Sequence, residues 1–104
     1  MEALSSRIRV PVPQRELKEF CQRNNVKRLA LFGSVLRKDF HPESDVDILV
    51  LFSPEARVGL LTLARMRREL TGLFNRRIDL VPMDGLKPLI REHVLSDIEE
   101  IYAA

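Results

Sequence analysis

Apolar residues recur along this chain with two different periods, and the switches between them mark out its elements. From Gln14 to Asn25, Leu17, Phe20 and Cys21 stand at i, i+3 and i+4, the spacing of one helix face, and Asn24 and Asn25 end it. Arg28 to Phe32 is a short apolar run stopped by Gly33, the signature of a buried strand. Ser34 to Lys38 reads as a brief helix capped by Ser34, and Asp39 to Ser44 as a loop. A second strand, DVDILVLF, runs from Asp45 to Phe52; its first half alternates and its second half is wholly apolar. Val58 to Phe74 predicts a long amphipathic helix with Leu60, Leu61, Ala64, Leu70, Leu73 and Phe74 inward and Arg65, Arg68 and Glu69 outward. Arg77 to Val81 is a third strand closed by Pro82. Pro88 then opens a predicted helix to Tyr102, with Leu89, Ile90, Val94, Ile98 and Ile101 on one face. Ahead of all these, residues 1–13 hold Pro11 and Pro13 and predict an extended arm.

The order helix, strand, short helix, strand, helix, strand, helix predicts an α/β (α+β) fold. A length of 104 residues has room for one domain, 1–104, with a three- or four-stranded sheet packed against helices. Trp is absent and aromatics make up 6% of the chain, too few for a base-stacking platform, so direct nucleic-acid binding is not expected. The net charge of +2 is small, but its distribution is uneven. Nine basic and five acidic residues lie in 1–44, against four and six in 76–104. That mild field suits a polyanion such as a nucleotide, and suits an ordinary solvated surface equally well. Cys21 is the one cysteine and no apolar run nears the roughly 18 residues of a membrane span, so a cytoplasmic setting with no membrane contact is expected. Arg7 and Arg9 are followed by no apolar stretch, and no signal peptide is expected.

The chemistry concentrates in three acids. Asp45 and Asp47 are two apart on the predicted second strand, so both carboxylates project from one face. Side by side they repel, and a hard divalent ion between them relieves the repulsion. Asp79, between Ile78 and Leu80, is a third acid in a segment otherwise built for burial. A shared metal site accounts for all three. A bare D-x-D is a weak motif; its specificity rises sharply with Gly33-Ser34 upstream, ten residues lying between Ser34 and Asp45. If the first two strands run antiparallel, Gly-Ser and the acids share one rim. There Gly33 lets the backbone approach phosphates, and Ser34 with the following amides offers donors to them. Taken alone, the pair also fits a plain strand-to-helix turn with a serine cap.

The segment GSVLRKDFHPESDVDILV, Gly33 to Val50, together with Asp79 in RRIDLV, resembles the minimal nucleotidyltransferases of the DNA polymerase beta superfamily. Their signature is G-S-x10-D-x-D with a third acid on a later strand. The resemblance implies a small mixed sheet, ATP as substrate and two Mg²⁺ ions, with Mn²⁺ as a substitute. Asp45, Asp47 and Asp79 match the metal-binding catalytic acids, Gly33 and Ser34 the nucleotide-binding turn, and Arg37 an arginine common after Gly-Ser. Leu36 and Lys38 depart from the Ala and Gly of many relatives. Minimal members are typically antitoxins encoded beside HEPN-domain ribonuclease toxins, and some transfer AMP to a toxin tyrosine. The resemblance therefore implies a protein adenylyltransferase that neutralises a HEPN toxin, in a hetero-oligomer with it.

A rival reading is a catalytically silent antitoxin that binds and occludes its toxin. Against it, three clustered carboxylates have no physical reason to persist in a relic. A sugar transferase reading of D-x-D requires a far larger chain. His41 is expected in a solvated loop, His93 on a surface and Cys21 in the core.

Overall fold

The computed structural model describes residues 8–104, so the first seven residues of the predicted arm lie outside the described residues. Residues 8–13 form an irregular segment that bends at the buried Val10, with Ile8 and Val12 packed on the core and Arg9 N donating to Val35 O at 3.2 Å. The elements that follow are α1 (Gln14–Arg23), β1 (Val26–Phe32), β2 (Val46–Phe52), α2 (Leu60–Phe74), β3 (Ile78–Pro82), α3 (Pro88–Leu95) and β4 (Ile98–Ala103). Tight 3₁₀ turns occupy Gly33–Leu36 and Met83–Gly85.

The four strands form one mixed sheet in the order β3-β2-β1-β4. Strand β1 runs antiparallel to both β2 and β4, whereas β2 and β3 are parallel, joined by α2 as the crossover. Alternation along β2 sorts its side chains. Val46, Ile48 and Val50 join the main core with Leu17 and Phe20 of α1 and Met66 and Leu70 of α2. Asp47, Leu49 and Leu51 therefore project from the opposite face of the sheet. There Leu49 and Ala30 are buried, near Leu95 of α3 and Ile98.

Three expectations need correcting. The predicted helix Pro88–Tyr102 ends at Leu95; after a turn at Ser96 and Asp97 the chain becomes β4, pairing from Phe32↔Ile98 to Arg28↔Ala103. The helical spacing of Val94, Ile98 and Ile101 was matched by coincidence. Ser96 Oγ donates to His93 O at 2.7 Å, competing with helix continuation. Ile98, Ile101 and Tyr102 are strand formers that cover the open edge of β1, and Arg28 of β1 pairs with Glu100. Consequently Leu89 is 82% exposed and Ile90 50%, and neither faces a core.

Second, Leu60 and Leu61 are 86% and 88% exposed rather than inward. At about 100° per residue Leu61 lies roughly 180° around the helix axis from Leu70, the middle of the buried stripe Met66, Leu70, Phe74, and so faces solvent; Leu60, roughly 80° from Leu70, is exposed as the first residue of the helix. Third, Ser34 does not cap a helix: the Gly33–Leu36 turn has no side-chain cap.

A candidate carboxylate site at the Gly33 turn

Antiparallel pairing of β1 with β2 brings the end of one against the start of the other, as the shared rim requires. Phe32 stands opposite Asp47, and Asp47 stands beside Asp79 in the parallel β2/β3 pair. Asp47 is thus the centre of the cluster, flanked by Asp79 on one side and the Gly33 turn on the other. Gly33 adopts φ +74, in the left-handed region that favours glycine. A β-carbon built there would overlap Asp47 Oδ2 and lie 3.3 Å from its Cγ. The glycine is therefore needed for Asp47 as well as for the turn.

Asp45 lies one residue ahead of β2 and is half-exposed. Its Oδ1 accepts from Arg77 Nε at 3.1 Å, an exposed pair of little energetic weight. Ser34 Oγ approaches Asp45 O at 3.5 Å, so the Gly-Ser turn and the first acid touch through backbone. Arg37 closes the turn, its N donating to Ser34 O at 2.9 Å.

Partial burial, then the negative charges of Asp79 and Asp45, push the Asp47 carboxyl above the usual carboxylate range; the Arg37 guanidinium opposes them. Three charged groups thus act on one position. Among the described residues no three side chains of the metal-ligating types are gathered into a ready cage. The donor set still suits a hard divalent cation. Its oxygens are carboxylate, they repel one another, and the anion at Asp47 lacks a sufficient countercharge.

Two residues that sequence reasoning passes over complete the surroundings. Arg76 stacks its guanidinium over the Phe40 ring at 4.7 Å and reaches the carbonyls of the loop before Asp45, and Arg77 pairs with Asp45. The available signal was the adjacent Arg-Arg two residues ahead of Asp79.

A family model described as a nucleotidyltransferase domain matches residues 14–101, which include every residue of this site. The chain belongs to the nucleotidyltransferase domain family. A relative of this nucleotidyltransferase, the protein adenylyltransferase MntA of Thermococcus cleftensis, is 37% identical over 81 residues, covering 78% of this chain and 80% of its own. Among solved structures, a toxin-antitoxin with AMP-PNP superposes with a TM-score of 0.73 at 18% identity, over 89% of this chain and 75% of the other. A complex of a tri-AMPylated Shewanella oneidensis HEPN toxin with an MNT antitoxin gives 0.64 at 17% identity, over 88% and 70%. At those identities the two structures speak to the fold, and the mixed four-stranded sheet of this nucleotidyltransferase is the one they share.

Proposed function

We propose that this chain transfers AMP from ATP to a protein, and that the acceptor is a HEPN-domain toxin which it thereby neutralises as an antitoxin. The observation that carries the reading is the position of Asp47, packed over Gly33 and crowded by Asp79 and Asp45. A partly buried carboxylate crowded by two others is costly to ionise without a cation.

In this reading Asp45, Asp47 and Asp79 hold two Mg²⁺ ions, and Mn²⁺ substitutes for them. When bound, such ions stabilise charge on the attacking and leaving oxygens of an in-line displacement and lower the pKa of the attacking hydroxyl. Gly33 lets the backbone come close to the phosphates, Ser34 Oγ donates to a phosphate oxygen, and the exposed Arg37 offers its guanidinium to the same group. The acceptor oxygen bonds to the α-phosphorus, the bond to the bridging oxygen breaks, and pyrophosphate leaves; the hydroxyl proton passes to solvent. We place the reaction in the cytoplasm, where ATP is abundant and a lone thiol such as Cys21 stays reduced. Among the described residues no helix is long and apolar enough to cross a membrane. The relative's name and the two toxin-antitoxin structures support the choice of a protein acceptor.

The test is incubation with α-labelled ATP, Mg²⁺ and the product of the adjacent gene. Label on that protein, lost when Asp47 is replaced by Asn or when chelator is added, is the expected result. Absence of label on any protein with either Mg²⁺ or Mn²⁺ would contradict the proposal.

A further inference from the structure

The loop leading from the Gly33 turn to Asp45 has few anchors of its own: Phe40 N donates to Arg37 O at 3.3 Å, Ser44 N to His41 O at 2.9 Å and His41 N to Ser44 Oγ at 3.4 Å. Phe40 packs against the main core and Ser34 Oγ approaches Asp45 O at 3.5 Å; a further tie comes from the far end of α2. That helix stops at Phe74, Asn75 takes a left-handed φ of 55, and Arg76 N donates back to Thr71 O at 3.3 Å. The reversal aims Arg76 at the loop. Its guanidinium lies 4.7 Å from the centroid of the Phe40 ring, and Nη1 donates to Pro42 O at 3.1 Å and His41 O at 3.4 Å. A planar fork that stacks and donates together is something arginine offers and lysine does not. One residue on, Arg77 O accepts from Val46 N at 3.0 Å, so the segment entering β3 also fixes the start of β2.

We infer that Arg76 is a positioning residue for the carboxylate site: by pinning residues 40–42 it fixes the path of the chain into Asp45 and so holds Asp45 beside Asp47 and Asp79. The inference rests on the metal reading proposed above. Arg76 meets the loop through the carbonyls of His41 and Pro42 and the Phe40 ring, and acts through the loop. With the loop released, Asp45 samples more positions, and cation binding must then carry the cost of ordering it.

Arg77 provides the control, because it is the arginine in contact with Asp45. Loss of positive charge near the acids is greatest at Arg77, whereas loss of the loop anchor is specific to Arg76. Mn²⁺ binding, followed by electron paramagnetic resonance with α,β-methylene ATP present, separates the two. Arg76→Gln and Arg76→Lys should each weaken Mn²⁺ by about tenfold, the scale of losing a residue that orients a ligand. Phe40→Leu, which removes the stack and keeps an apolar side chain, should weaken it in the same direction. Arg77→Gln should bind Mn²⁺ at least as tightly as the parent, since it removes a cation competing for Asp45. Arg76→Gln within twofold of the parent overturns the inference. So does an Arg76→Lys protein that matches the parent, or an Arg77→Gln protein weakened as much as Arg76→Gln. A parent chain that holds no Mn²⁺ overturns the metal reading together with this inference.

Discussion

Asp47 lies so close over Gly33 that the glycine has no room for a β-carbon. The left-handed φ of +74 would make a side chain there strained even in open space. Gly33→Ala is therefore expected to cost about 1–3 kcal/mol in stability, the range for a non-glycine residue forced into such a conformation. The overlapping atom is the end of a side chain, so the fold survives and the Asp47 carboxylate swings away. Chemical denaturation and a transfer assay on the same preparation check this: reduced stability with transfer down at least tenfold is expected, and unchanged values of both would contradict it.

Asp47→Asn tests the electrostatics of the cluster. Burial and the neighbouring acids raise the Asp47 pKa in the folded chain above the ordinary 3.8. Its contribution to stability is then full below 3.8 and lost as pH rises through the raised value, so the metal-free parent carries the penalty at neutral pH. The Asn variant should melt higher than the metal-free parent at pH 7, and the gap should close as pH falls below the carboxylate range. A gap that widens in acid would reverse the sign of the argument.

Cys21 should behave as an inert core thiol. Burial lifts its pKa from 9.0 to about 12, so the nucleophilic thiolate is scarce in the folded chain at neutral pH. Stability linked to this group is full below 9.0 and lost as pH rises toward about 12. A thiol reagent at pH 8 should label the unfolded protein at once and the native protein only as fast as it opens. Rapid labelling of the native chain would place Cys21 outside the core.

The register of α2 makes a contrast that melts can read. Met66 is fully buried, whereas Leu61 is 88% exposed. Met66→Ala should cost about 2–5 kcal/mol, and Leu61→Ser should stay within about 0.5 kcal/mol of the parent. Comparable losses in the two variants would restore the inward Leu61 of the sequence-based expectation.

Strands β1 to β3 were legible because their short apolar stretches are closed by Gly33, Ser53 and Pro82, and helix α1 because Leu17, Phe20 and Cys21 keep the spacing of one helix face. The acids and the Gly-Ser turn were legible for a different reason: antiparallel pairing of β1 and β2 needs only the loop between them, and it carries Gly33 to Asp47. Helix α3 and strand β4 were not separable, since Ile98 and Ile101 fit a helical stripe as well as a strand. The choice was made by the free edge of β1, which lies more than sixty residues away. Leu60 and Leu61 misled for a related reason. Hydrophobicity marked them as core, and only the orientation of α2 on the sheet shows that its first turn is off the stripe. Arg76 was missed because its partners are backbone carbonyls of the 40–42 loop, and the Arg-Arg pair ahead of Asp79 signals positive charge without naming them.

Covalent transfer to a toxin is tested most directly by intact mass spectrometry of that toxin. Co-expressed with the parent chain, the product of the adjacent gene should be inactive, gain the mass of whole AMP units and stay inactive after this protein is stripped away. Co-expressed with the Asp47→Asn variant, it should keep its unmodified mass and its activity. A toxin neutralised at unchanged mass by both proteins, and active again once separated, would contradict the account and assign neutralisation to occlusion.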